Sequence, residues 1–234
     1  MRWADLDSLN HVNNVVYTDY AAECRALLAA DGLVGPDDGI ARVDVRFLRP
    51  LQLSRRPVTV VSTIDGDALT QEICVDRDGE RTVFARVETT YGPREDVAVH
   101  RAGGDLLPVR LRRSDVDGTG TVTLTKVFEL FQEGRILHIS SLLPSNAPGR
   151  YVVGSAQVTP VRPFGWRLEP CDMRAWVSRV GGSSFTIGAE LADGDHVLAR
   201  SETVLVGFDL ATQRSRRLED DERAQLEGLL SPPC

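Results

Sequence analysis

The 234-residue sequence is poor in the features that mark several common classes of protein. No stretch approaches the roughly eighteen consecutive apolar residues that a membrane-spanning helix needs, and the amino terminus shows no basic-then-apolar leader pattern. No membrane association and a cytoplasmic location are therefore expected. Cysteine is scarce: Cys24, Cys74, Cys171 and Cys234 stand far apart with no Cys-x-x-Cys pair, so neither a zinc site nor a disulfide framework is expected. They read as small buried hydrophobes, with Cys234 exposed at the carboxyl terminus. His11, His100, His138 and His196 show no ligand spacing, and no metal or cofactor is expected. Basic residues are outnumbered, 27 Lys and Arg against 34 Asp and Glu, giving a formal net charge of -7. That excludes a binder of nucleic acid that works by counterion release, though not a local basic patch.

What remains is an ordinary globular composition, 42% hydrophobic and 26% charged, in a chain long enough for one large domain or two small ones. Its densest chemistry lies at the start. Asp5-Leu-Asp-Ser-Leu-Asn-His-Val-Asn-Asn14 crowds residues that are costly to bury just ahead of a helical period over Val15 to Ala30. Tyr17, Tyr20, Ala21, Cys24, Leu27 and Leu28 recur at three- and four-residue spacing as one apolar stripe, with Asp19, Glu23 and Arg25 off it. Asn13 or Asn14 is placed to cap the helix. The first turn supplies unpaired N–H groups and the positive end of the helix dipole, which suit a developing negative charge. Asp7, a few residues upstream, could face the same spot as base or nucleophile, which is the minimum equipment for attack on a carbonyl. The other reading of the same residues is a turn and cap whose side chains satisfy local backbone.

The string RWADLDSLNHVNNVVYTDYAAECR resembles the signature of the hotdog-fold acyl-CoA thioesterases of the 4-hydroxybenzoyl-CoA thioesterase type. Its HVNN portion is similar to plant and bacterial acyl-ACP thioesterases. The resemblance implies that Asp7 acts as general base or nucleophile, and that the N–H near Asn14 polarises the thioester carbonyl. On the same grounds His11 or Asn14 positions water or the thioester, and Asn13 and Tyr17 contact substrate. Leu9 stands where the plant acyl-ACP enzymes carry an asparagine, and no counterpart of their downstream acidic or cysteine partner is found near Val45 to Pro50. The acyl-CoA reading is therefore preferred to the acyl-ACP one.

Beyond the helix, Asp31 to Gly39 is dense in turn residues. Four extended stretches follow, Ile40 to Leu48, Val58 to Ile64, Leu69 to Val75 and Thr82 to Tyr91, the last two introduced by Asp65-Gly66-Asp67 and Asp76 to Gly79. Met1 to Ala4 reads as the end of a short first strand, and Gly92 to Gly104 as a polar linker.

The second half repeats the first. At an offset of 110, Asp5, Asp7, Val12, Glu23 and Arg25 fall on Asp115, Asp117, Val122, Glu133 and Arg135, and Tyr17, Tyr20, Ala21 and Leu27 fall on Val127, Leu130, Phe131 and Leu137. Arg49-Pro50 recurs as Arg162-Pro163, Arg86-Val-Glu-Thr89 as Arg200-Ser-Glu-Thr203, and Asp78-Gly79 as Asp193-Gly194. The expected architecture is α+β: two tandem hotdog domains, 1-98 and 99-234, each an antiparallel sheet wrapped around a central helix, paired as an intramolecular pseudo-dimer. Thr82 to Tyr91 and His196 to Phe208 are candidates for a shared sheet edge. A homodimer of such chains is left open.

The copies differ chemically. His11, Asn13 and Asn14 become Thr121, Thr123 and Leu124, while Asp117 remains. Asp117-Gly-Thr-Gly-Thr-Val is similar to the aspartate loop of the 4-hydroxybenzoyl-CoA enzyme, so Asp117 is either a second substrate-contacting, catalytic carboxylate or a relic that caps its helix. Leu218 to Leu230 reads as a short amphipathic helix packed on the second sheet, with Leu226, Leu229 and Leu230 on one side. Arg214 to Arg217 reads as a solvated basic cluster or a nucleotide-phosphate contact. The leading function is hydrolysis of a fatty or aromatic acyl-CoA. The rival is a non-catalytic acyl-CoA or lipid binder, and a hotdog dehydratase fits less well because its differently spaced motif is not found.

Overall fold

A computed structural model describes residues 1–7, 9–100, 105–142 and 149–231, which fall into two compact units, Met1–Arg94 and Glu95–Cys234. The chain is α+β, with antiparallel strands and few helices. Unit 1 opens with a 3-10 turn at Trp3–Asp5, followed by helix α1 (Asn14–Ala30) and strands β1 (Ile40–Phe47), β2 (Thr59–Asp65), β3 (Ala68–Arg77) and β4 (Glu80–Tyr91). The ladder within the unit runs β2-β3-β4-β1. Unit 2 holds strand β5 (Asp105–Val109), a 3-10 turn at Arg113–Asp115, helix α2 (Leu124–Leu142), strands β6 (Tyr151–Pro160), β7 (Cys171–Val180), β8 (Ser184–Asp193), β9 (His196–Asp209) and β10 (Arg214–Ser215), and helix α3 (Asp220–Glu227). Its ladder runs β6-β9-β8-β7-β5, with β10 on β9.

Three expectations change. Met1 to Ala4 is not strand: the chain tightens into the 3-10 turn because the Asp5 carboxylate accepts the Arg2 N–H at 2.5 Å. Neither Thr82 to Tyr91 nor His196 to Phe208 is an edge. Within its own unit β4 is flanked by β1 and β3, and β9 by β6 and β8, because each is the longest strand and offers a ladder on both sides. The segment after Gly92 is only partly a linker: Asp96 pairs with Arg162 at 2.7 Å, and His100 is buried, stacked on Trp176 at 4.0 Å with its N–H donated to Glu190. The remainder of that stretch, Arg101 to Gly104, and Cys234 lie outside the described residues.

Helix α1 buries Tyr17, Thr18, Ala21 and Arg25 against its sheet, while Leu27 is exposed. The stripe is rotated from the expected one because two polar members find partners within the unit. The Thr18 hydroxyl donates to the Val15 carbonyl at 2.6 Å, and Arg25 pairs with Asp37 at 3.3 Å. The facing strands supply Val43, Val45, Leu69, Ile73, Ala85 and Val87. Full burial of each valine, leucine or isoleucine among them stabilises by about 1.5–3 kcal/mol. Buried Gln71 donates its amide to the Ala21 carbonyl at 3.1 Å, tying helix to sheet. In unit 2 the corresponding stripe is Val127, Phe128, Phe131, Gly134, Arg135, His138 and Ile139, and Leu137 is exposed.

The Arg-x-Glu-Thr recurrence has a structural counterpart. Arg86 pairs across the ladder with Glu72 at 2.6 Å, and Arg200 with Glu190 at 3.1 Å. Helix α3 packs on β7 through Leu226, fully buried, whereas Leu229 and Leu230 are exposed. The basic cluster is partly consumed in holding that helix. Arg216 donates to both Glu222 oxygens at 2.8 and 2.9 Å, Arg150 donates at 2.6 Å, and the Tyr151 hydroxyl and the Glu219 N–H complete the shell.

Burial alone would raise the Glu222 pKa, but these donors outweigh it and hold the carboxyl well below the usual carboxylate range. A depressed folded pKa gives stability that is complete above the unfolded value of about 4.3 and lost as pH falls through the folded one. We therefore expect the melting temperature of the wild type to drop on acidification below about pH 4.3, and Glu222→Gln to flatten that acid limb in a pH series of thermal melts.

Candidate active site

The motif loop is a tight hairpin closed by a bridge between Leu6 and Val12. Asp7 donates its N–H to the His11 carbonyl at 2.8 Å and accepts the Asn10 N–H at 3.1 Å, while Asn10 sits at φ 62. This is a turn that ends in a left-handed residue, a position where asparagine and glycine are the least strained. The Asp7 side chain builds it: Oδ1 accepts the N–H groups of Leu9 at 2.9 Å and His11 at 3.0 Å. Oδ2 accepts nothing among the described residues. One oxygen thus holds the loop, and the other has no partner among the described residues.

The loop is docked at both ends. Val12 donates to the Leu51 carbonyl at 2.8 Å, Asn13 donates to the Asp5 carbonyl at 2.8 Å, and the Asp5 carboxylate accepts the Tyr20 hydroxyl at 3.2 Å. The Asp5–Tyr20 tie has no signal in the sequence, since fifteen residues separate the two. Asn13 is the N-cap, its side chain accepting the Val15 N–H at 3.1 Å. Asn14 is the first helical residue, and its N–H finds no acceptor among the described residues. That leaves a donor at the positive end of α1.

The other candidate residues fall into place as follows. Asp7, His11, Asn13 and Asn14 are all half-buried. The loop brings Asp7 and His11 together through the His11 backbone, not the imidazole. Tyr17 is buried, 5.5 Å edge-on from Phe47, and its hydroxyl accepts the Leu51 N–H at 3.2 Å, so it anchors the segment on which Val12 docks. Burial pushes the Tyr17 hydroxyl up to about 12, the Leu51 N–H opposes this, and the nearby Asp7 charge adds to it. The Asp7 carboxylate therefore lies within electrostatic reach of the first turns of α1.

In unit 2 the backbone bonds of the loop and the two N–H bonds to the aspartate recur, without counterparts of the Tyr20–Asp5 and Tyr17–Leu51 ties. Val116 bridges Val122, Asp117 donates to Thr121 O at 2.9 Å, Gly120 at φ 87 takes the Asn10 role, and Val122 donates to Phe164 O at 2.9 Å. Leu51 and Phe164 each follow the recurring Arg-Pro, which turns the chain out of β1 and β6 so that this carbonyl can receive the loop. Asp117 Oδ1 accepts the N–H groups of Thr119 at 2.8 Å and Thr121 at 3.1 Å, and also the Thr119 hydroxyl at 2.7 Å. The Thr119 hydroxyl, with those two N–H groups, holds the exposed Asp117 carboxyl below the usual carboxylate range. Among the described residues no group of three His, Cys, Asp or Glu side chains converges as a metal site.

No protein-family model matches the chain, and no curated protein matches it. Solved structures do. A predicted thioesterase from Bacillus stearothermophilus is 25% identical at a TM-score of 0.51, over 55% of this chain and 98% of its own. An oleoyl thioesterase (putative) from Lactobacillus plantarum is 12% identical at a TM-score of 0.65, over 89% of this chain and 94% of its own. The 12:0-ACP thioesterase from Umbellularia californica is 12% identical at a TM-score of 0.60, over 92% and 95%. The fold is that of the hotdog-type thioesterases.

The left-handed position gives a direct test of the loop. Asn10→Gly should leave stability near wild type, whereas Asn10→Val should cost about 1–2 kcal/mol in chemical denaturation, because a β-branched side chain is strained at positive φ.

Proposed function

We propose that the chain is a tandem of two hotdog units that hydrolyses a fatty or aromatic acyl thioester, with Asp7 of the first unit as the catalytic carboxylate. The carrying observation is the division of labour at Asp7: among the described residues one oxygen is bonded into the loop and the other accepts nothing, its charge reaches Tyr17 in the first turn of α1, and the Asn14 N–H that opens that helix has no acceptor among the described residues. Asp7 Oδ2 takes a proton from water as the water oxygen bonds to the thioester carbon, or attacks that carbon directly to give a mixed anhydride that water then hydrolyses, releasing the acid and restoring the Asp7 carboxylate. The Asn14 N–H and the helix dipole stabilise the oxyanion, and His11 and the Asn14 side chain orient the water or the thioester. When the C–S bond breaks, the electron pair leaves on sulfur, and a thiolate needs no strong acid to depart. The thioesterase fold and the duplicated loop support this reading.

The motif favours acyl-CoA as the substrate. Delivery on an acyl carrier protein is a second reading, favoured by one observation: solved structures that match nearly the whole chain include acyl-ACP thioesterases, whereas the Bacillus structure spans about half of it.

Asp7→Asn separates chemistry from scaffolding, because an amide oxygen can still accept the Leu9 and His11 N–H groups while the charge is gone. Asp7→Asn should lower kcat by about 100-fold or more with little change in melting temperature. Asp7→Ala should lose the same activity and also about 1 kcal/mol of stability. Asp117→Asn should hydrolyse at the wild-type rate. Thiol release from panels of acyl-CoA and acyl-ACP reads all three. Wild-type turnover by Asp7→Asn overturns the assignment, and tight binding without any turnover by the wild type overturns hydrolysis itself in favour of a ligand-binding protein.

A further inference from the structure

The two halves of the proposed site lie on two bodies, the Asn14 N–H on helix α1 and the Asp7 carboxylate on the hairpin, and the chain joins them at one residue, Asn13. A one-residue joint does not by itself fix the angle between the bodies. Tyr20 adds a second connection. From the second turn of α1 its hydroxyl donates to the Asp5 carboxylate at 3.2 Å, and the Asp5 carbonyl accepts the Asn13 N–H at 2.8 Å, the rung at the base of the hairpin. The same carboxylate oxygen accepts the Arg2 N–H at 2.5 Å, which holds Asp5 in its turn. Burial and the Asp5 charge keep the Tyr20 pKa well above the ordinary tyrosine value, so the hydroxyl retains the proton it donates.

Unit 2 shows the loop without this tie, because Leu130 stands in the place of Tyr20 and has no hydroxyl, and Val127 stands in the place of Tyr17. Three backbone bonds are alike in the two copies. Asp7 to His11 O is 2.8 Å and Asp117 to Thr121 O is 2.9 Å, Asn10 to Asp7 O is 3.1 Å and Gly120 to Asp117 O is 3.0 Å, and Val12 to Leu51 O is 2.8 Å and Val122 to Phe164 O is 2.9 Å. The base rung differs: Asn13 to Asp5 O is 2.8 Å, whereas Thr123 to Asp115 O is 3.3 Å. The bond that lengthens is the one the tyrosine clamps in unit 1, and the copy without the clamp has also lost His11, Asn13 and Asn14. We propose that Tyr20 is a positioning residue of the Asp7 site, which through Asp5 holds the base of the hairpin against α1 and so sets where the Asp7 carboxylate stands relative to the Asn14 N–H. The inference rests on the reading of Asp7 as the catalytic carboxylate. Tyr20 acts through Asp5 and needs no contact with the thioester. Loss of attack geometry without loss of binding surface falls on kcat and leaves KM.

The test is thiol release by the full chain from the acyl thioester that wild type turns over best, with hydrogen exchange of backbone amides alongside. Tyr20→Phe should lower kcat about 10-fold, with KM within about 2-fold and the melting temperature within about 1 °C of wild type. Asp5→Ala should lose the same rate, the double variant should lose no more than either single change, and Asp5→Asn, whose amide oxygen still accepts the hydroxyl, should recover most of what Asp5→Ala loses. In Tyr20→Phe the Asn13 N–H should exchange about 10-fold faster, while the Val12 N–H keeps its wild-type rate. Should Tyr20→Phe fail to fold, the Asp5→Ala and Asp5→Asn pair makes the same comparison. Wild-type kcat in Tyr20→Phe, additive losses in the double variant, or an unchanged Asn13 exchange rate overturns the positioning role and leaves Asp7 untouched. A wild type that releases no thiol overturns the Asp7 reading instead, and the exchange rates then still decide whether Tyr20 holds the hairpin.

Discussion

The interaction on which the rest of the structure turns is a carboxylate oxygen that accepts two backbone N–H groups of its own loop. Asp7 Oδ1 on the Leu9 and His11 N–H groups joins the backbone bonds to Leu51 and Asp5 in setting the loop's path into α1. The recurrence of the bond pattern at Asp117, where the histidine and asparagines are gone, shows that the scaffolding use of this aspartate does not depend on the rest of the motif. A turn former and a candidate catalytic group are one residue here because a carboxylate has two oxygens.

This explains why both readings of the motif drawn from the sequence have merit. Asp5, Asp7 and Asn13 do satisfy local backbone, as a turn-and-cap account requires, yet Asp7 keeps an oxygen without a partner among the described residues, to which such an account gives no use. The strands of unit 1 were legible to within a few residues, because β-branched runs were bounded by Asp-Gly turns in which Gly66 and Gly79 adopt positive φ. The helix faces were not. Periodicity ranks side chains by polarity, and it placed Arg25 outside and Leu27 inside, whereas Arg25 is buried through an ion pair twelve residues away and Leu27 faces out. Contacts of that kind leave no local pattern.

Edge and interior strands were misassigned for a related reason. Residue pattern reports which face of a strand is buried, not how many neighbours the strand has, so β4 and β9 gave no sign of being flanked on both sides. The cross-strand Glu–Arg pairs were visible as a recurring Arg-x-Glu-Thr only from the arginine side. Their partners, Glu72 and Glu190, sit on neighbouring strands outside the recurring tetrapeptide.

Asn10 and Gly120 occupy the same left-handed corner in the two loops. Few residue types tolerate that corner, so a lineage can exchange one for the other while most alternatives are closed to it. The polar side chains around the corner are under no such restriction, and the loop can lose or regain its chemistry while its backbone path is inherited intact. The backbone of the second loop is thus a mould still able to accept another set of side chains.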